Sequence, residues 1–97
     1  MVEHLVLFRW KEGVDSAAID SALEGLRDLK DKIPGILDLT CGHNFSDRAK
    51  GFDAGLYIRF VSRSALDAYS PHPAHQRVVN ELLLPIREDV IALDYEF

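Results

Sequence analysis

Ninety-seven residues, 47% of them hydrophobic and 28% charged, have the composition of one small globular domain spanning 1–97 and exclude a disordered chain. The formal net charge of −5, with basic residues scattered among acidic ones, excludes the clustered Lys and Arg of a nonspecific nucleic-acid binder. A single cysteine, Cys41, can close no disulfide within the chain, so self-association is the expected extra source of stability.

The opening MVEHLVLFRW lacks the basic lead and long apolar core of a secretion signal. No apolar run approaches the roughly 20 residues of a membrane-spanning helix. A cytoplasmic protein with no nucleic-acid or membrane partner is therefore expected. Residues 3–10 read as a strand with His4, Val6, Phe8 and Trp10 on one face and Leu5, Leu7 and Arg9 on the other. Asp15 is placed to cap a helix. Ile19, Ala22, Leu23, Leu26, Leu29 and Ile33 then recur at helical spacing up to Pro34-Gly35.

Residues 36–45 alternate as a second strand, and 54–61 form a third with Leu56, Ile58 and Phe60 on one face. Ser62 can cap a short helix through Tyr69, which must stop before Pro71. Pro73 suits the first turn of another helix, along which His75, Val78, Val79, Leu82 and Ile86 form an apolar stripe as far as the kink at Pro85. Residues 90–97 close the chain as a fourth strand. The order β-α-β-β-α-β predicts an α+β, ferredoxin-like fold with an antiparallel four-stranded sheet. Helices can cover only one face of that sheet, yet the strands are apolar on both. A homodimer with two sheets face to face, a dimeric α/β barrel, is the expected assembly.

The stretch YSPHPAH (69–75) admits two readings. Its prolines can simply shape a corner between helices, with the histidines as core residues. Alternatively, His75 heads the inward stripe and meets Tyr69 in a site. His72, the expected N-cap, faces outward, so His72 and His75 point apart. One HxxH pair without clustered acids does not make a metal centre, and no metal or organic cofactor is expected.

The segments HLVLFRWK, IPGILDLTCGHNFS, GFDAGLYIRF, ALDAYSPHPAHQRVV and ALDYEF together resemble the stress-responsive α/β barrel, or Dabb, family over about residues 3–97. The resemblance implies a ferredoxin-like protomer in a barrel-forming dimer. One plant branch of the family cyclises poly-β-keto thioesters without a cofactor. Similarity to that branch implies Tyr69 and His75 as working residues, supported by Asp94 in the last strand and His4 in the first. Leu26 stands where those cyclases carry a pocket tyrosine, which points to a smaller or more aliphatic carbonyl compound.

The residue types suit such chemistry. A histidine titrating near about 6.5 can take a proton next to a carbonyl. A carboxylate on its far ring nitrogen would fix the tautomer, and a phenol can donate to the developing enolate. On this reading Asp94 pairs with His75, while Val78, Val79 and Leu82 line the pocket with His4 and Leu26. A solvated edge-strand acid is the competing reading of Asp94, and a packed strand residue that of His4. The functional expectation is a dimer binding a small apolar or carbonyl-bearing molecule near His75. A cofactor-free cyclase or lyase is one alternative, and a stress-protective dimer without ligand is the other.

Overall fold

β1 (Val2–Trp10) lies inside the sheet because both of its edges find partners. In the computed structural model, which describes residues 1–97, it pairs antiparallel with β3 (Ala54–Phe60) on one side and β4 (Arg87–Glu96) on the other. β2 (Ile36–His43) pairs with the free edge of β3, also antiparallel, giving the order β2-β3-β1-β4. This is the ferredoxin-like arrangement expected from the element order. β2 ends two residues sooner than its alternation predicts, and β4 begins three residues sooner.

The helices lie on one face. α1 (Ser16–Asp28) starts where Asp15 accepts the Ala17 amide at 3.0 Å, and a 3₁₀ turn over Leu29–Asp31 tightens its end. Its stripe of Ala22, Leu23 and Leu26 packs on Val6, Phe8, Leu56, Ile58 and Phe60 in a single core cluster. Each such large side chain fully buried contributes about 1.5–3 kcal/mol relative to exposure. The chain then turns at Gly35, whose φ of +90° suits glycine and whose α-carbon faces Ala65 of the next helix.

α2 (Arg63–Tyr69) is capped by Ser62, which accepts the Ala65 amide at 3.2 Å. α3 (Pro73–Val78) is capped by His72, whose Nδ1 accepts the Ala74 amide at 3.1 Å. Both caps are the ones expected. Beyond Val78 the structure departs from expectation, because Val79–Leu83 form a π turn in which the Leu84 amide donates to the Val79 carbonyl at 2.8 Å. The extra residue in that turn rotates the rest of the helix by roughly 100°. Leu83 therefore takes the buried inward position that even spacing assigns to Leu82. Pro85, with no N–H to offer, ends the helix.

The other face of the sheet carries no helix. Leu5 pairs with Leu93 and Leu7 with Ile91 across the β1–β4 ladder, and Leu7, Ile91, Leu93 and Tyr95 are all exposed. At one end of this face Glu3 is buried, its Oε1 held by Arg59 Nε at 2.8 Å. Burial raises the Glu3 carboxyl, but hydrogen bonds from Arg59 and Tyr57 outweigh it and hold the pKa below the usual value.

Candidate functional site

Four ring side chains meet where β1, β4 and the α2–α3 corner converge. His4, at the middle of the sheet, sits opposite Ile58 on β3 and Asp94 on β4. Its Nδ1 shares a short hydrogen bond with Asp94 Oδ1. Tyr69, the last residue of α2, is only 2% exposed. Its ring meets Phe60 edge-on at 5.1 Å and His4 at 5.9 Å. His75, in the first turns of α3, lies 4.2 Å from the Tyr69 ring, tilted by 37°.

The proline corner arranges this cluster. Stopping α2 before Pro71 leaves the Ser70 carbonyl outside the helical ladder. That oxygen accepts His75 Nδ1 at 2.9 Å and Gln76 Nε2 at 2.6 Å. A carbonyl only accepts, so His75 Nδ1 carries its hydrogen, and Nε2 of the neutral ring is the lone-pair nitrogen. Burial lowers the His75 pKa, the Ser70 bond opposes that, and the nearby charges of His4 and His72 reinforce it. The ring is thus held neutral to lower pH than a free histidine, where the sequence led us to expect the ordinary value. Burial alone drives the Tyr69 phenol far above its usual range, so it remains a neutral donor.

His4, Tyr69 and His75 line a cavity of about 290 Å³ between sheet and helices, which Leu26, Val79, Leu83 and Ala92 also line. The structure therefore gathers His4, Tyr69, His75, Leu26 and Val79 as expected. Three expectations need correction. Asp94 orients His4 instead of His75, because β4 pairs with β1 in a register that sets Asp94 opposite His4. Val78 and Leu82 turn away from the rings and pack against Gly25 of α1, lining a separate groove.

Sequence reasoning missed Arg87 and Gln76, which also line the cavity. Gln76 falls one position off the apolar stripe. Arg87 falls before the strand expected over 90–97, and only the pairing of Trp10 with Arg87 brings it into the sheet. Nowhere do three His, Cys, Asp or Glu side chains group as metal ligands. The largest hollow, about 560 Å³, lies on the open sheet face, where Thr40, Cys41 and Tyr57 are the only polar side chains. It carries far less chemistry than the smaller cavity.

Comparison with known proteins agrees with this architecture. The family model described as the stress responsive A/B barrel domain, Dabb, matches residues 2–97. Two stress-response A/B barrel domain-containing proteins of Arabidopsis thaliana are 39% and 36% identical over 98% of this chain. The chain spans less than half the length of either relative, 46% and 36% respectively. An uncharacterized Streptomyces coelicolor protein is 36% identical over 100% of both chains.

Among solved structures, a dimeric Bacteroides fragilis protein with a ferredoxin-like fold matches with a TM-score of 0.85 and 27% identity, covering 99% of this chain and 95% of that one. A hydroxynitrile lyase from Passiflora edulis shares the fold at a TM-score of 0.87 and 23% identity, over 97% of this chain and 90% of that one.

Proposed function

The chain belongs to the stress-responsive A/B barrel (Dabb) family, and from that premise we propose that it is a homodimer binding a small carbonyl-bearing molecule beside His75. One observation carries the reading. His4, held from behind by Asp94, borders one largely apolar cavity of about 290 Å³ together with Tyr69 and the neutral His75 ring. A carbonyl oxygen needs a donor such as Tyr69, and its carbon skeleton needs the apolar wall of Leu26, Val79 and Leu83. The volume holds on the order of ten non-hydrogen atoms, at roughly 30 Å³ for each water-sized group. For the assembly, support comes from the exposed ladder of Leu7, Ile91 and Leu93 and from a protein of the same fold described as dimeric.

A second reading, proton transfer, is favoured by the His75 tautomer. With Nδ1–H committed to Ser70, Nε2 can take a proton from the carbon beside a bound carbonyl. The electron pair moves to the carbonyl oxygen, where the Tyr69 hydroxyl would stabilise it. Pro71 and Pro73 then serve the site by freeing the Ser70 carbonyl that sets this tautomer.

Binding is tested by thermal shift with a panel of short aliphatic and small aryl ketones, on the wild type and on Ala92→Phe. Ala92 lines the cavity from the exposed edge strand, so phenylalanine there fills the space without displacing a core residue. Ketones should stabilise the wild type and leave Ala92→Phe unmoved. Equal shifts in both would place binding elsewhere, and no shift in either would leave a structural dimer without ligand. Turnover is judged against His75→Ala. A general base contributes roughly 10²–10⁴-fold, so an enzyme must lose that much, whereas a binding protein shows no turnover to lose.

A further inference from the structure

We propose that the cavity selects ligands carrying a carboxylate, which Arg87 binds at its mouth while the carbonyl end lies against Tyr69 and His75. The inference rests on the cavity being a ligand site and adds the charge of what fills it. Arg87 is half-buried and lines the cavity, yet it takes part in none of the ion pairs of the chain. Of the other arginines, Arg9, Arg59, Arg63 and Arg77 each meet an Asp or Glu, Arg27 donates to the Cys41 carbonyl, and Arg48 is exposed to solvent. No Asp or Glu lines the cavity, and the adjacent Asp94 is already engaged by His4.

The walls thus present one guanidinium and no carboxylate, within a protein whose overall charge repels anions. That overall field is screened beyond about 8 Å at physiological salt, so the local guanidinium decides what the mouth accepts. Its planar fork matches a carboxylate through two parallel hydrogen bonds. Gln76 extends the polar rim. Its Nε2 gives one N–H to Ser70 and keeps a second N–H free to donate. Gln76 stands beside His75 on the Ser70 carbonyl, whereas Arg87 lies at the Trp10 end of the β1–β4 ladder and the rings at its His4 end. An oxo acid with a short aliphatic spacer between its two polar ends fits that order.

The test uses calorimetric titration of the whole protein with 5-oxohexanoate, its methyl ester and 2-octanone. These share a ketone and differ in charge. A charge-assisted hydrogen bond should make the acid bind roughly 10- to 100-fold more tightly than the ester or the neutral ketone. Arg87→Gln should bring the acid down to the affinity of the ester and leave both neutral probes unchanged. Arg87→Lys keeps the charge without the fork, and should retain part of the preference.

Equal binding of acid and ester to the wild type overturns the proposal, as does a preference that survives in Arg87→Gln. In either case the cavity remains a ligand site provided Ala92→Phe still abolishes binding. Absence of saturable binding by all three probes removes the site itself, and the charge selection with it.

Discussion

His75 shows how a single carbonyl can set the chemistry of a ring. The Ser70 oxygen fixes its proton on Nδ1, and burial keeps the ring neutral. Because its folded pKa lies below that of a free histidine, its contribution to stability is fully present above about pH 6.5. It is lost as the pH falls through the lowered folded value. Urea unfolding from neutral to mildly acid pH should therefore show the wild type losing stability faster than His75→Gln, which cannot charge. Parallel curves for the two proteins would mean that His75 protonates as easily folded as unfolded. The same shift makes any His75-dependent activity flat around neutrality, with a fall only on the acid side. A rate still rising above pH 7 would point to a different base.

At the scale of elements, the close approach of helix and sheet at Gly35 is the most sensitive joint. A β-carbon there would lie 2.6 Å from that of Ala65, on a backbone with φ of +90°. Gly35→Ala should cost about 1–3 kcal/mol in urea unfolding. Gly13, at φ +75° with nothing within 4 Å, should cost about 1 kcal/mol when changed to alanine, from backbone strain alone. Equal losses would show that the Ala65 contact relaxes freely.

The strands and caps were legible because their signals are local. In β1 and β3 one face packs under the helices and the other lies open, and Asp15, Ser62 and His72 each cap through a neighbouring amide. Three features were not legible. Which histidine receives Asp94 depends on strand register, a property of two distant segments. The exchange of Leu82 for Leu83 comes from a π turn that even hydrophobic spacing cannot announce. Arg87 enters the site only because pairing with β1 extends β4 past its apolar part.

The whole molecule leaves one sheet face for a partner and keeps its ring chemistry under the other. An interface of the usual 1,200–2,000 Å² over Leu5, Leu7, Ile91 and Leu93 should give a two-chain species in sedimentation at micromolar concentration. Leu93→Asp should shift that species to monomer, since a carboxylate would be buried unpaired in the interface. A folded wild-type monomer at those concentrations would contradict the dimer. The cavity lies under the sheet face opposite Leu7, Ile91 and Leu93, so its occupancy should change little with pairing through that open face. The most direct measurement is calorimetric titration of wild type and Ala92→Phe with the same panel of small ketones and oxo acids. Saturable binding at one site per chain in the wild type, lost in Ala92→Phe, is the predicted result. No saturable binding to the wild type, or the same binding to both proteins, would contradict it.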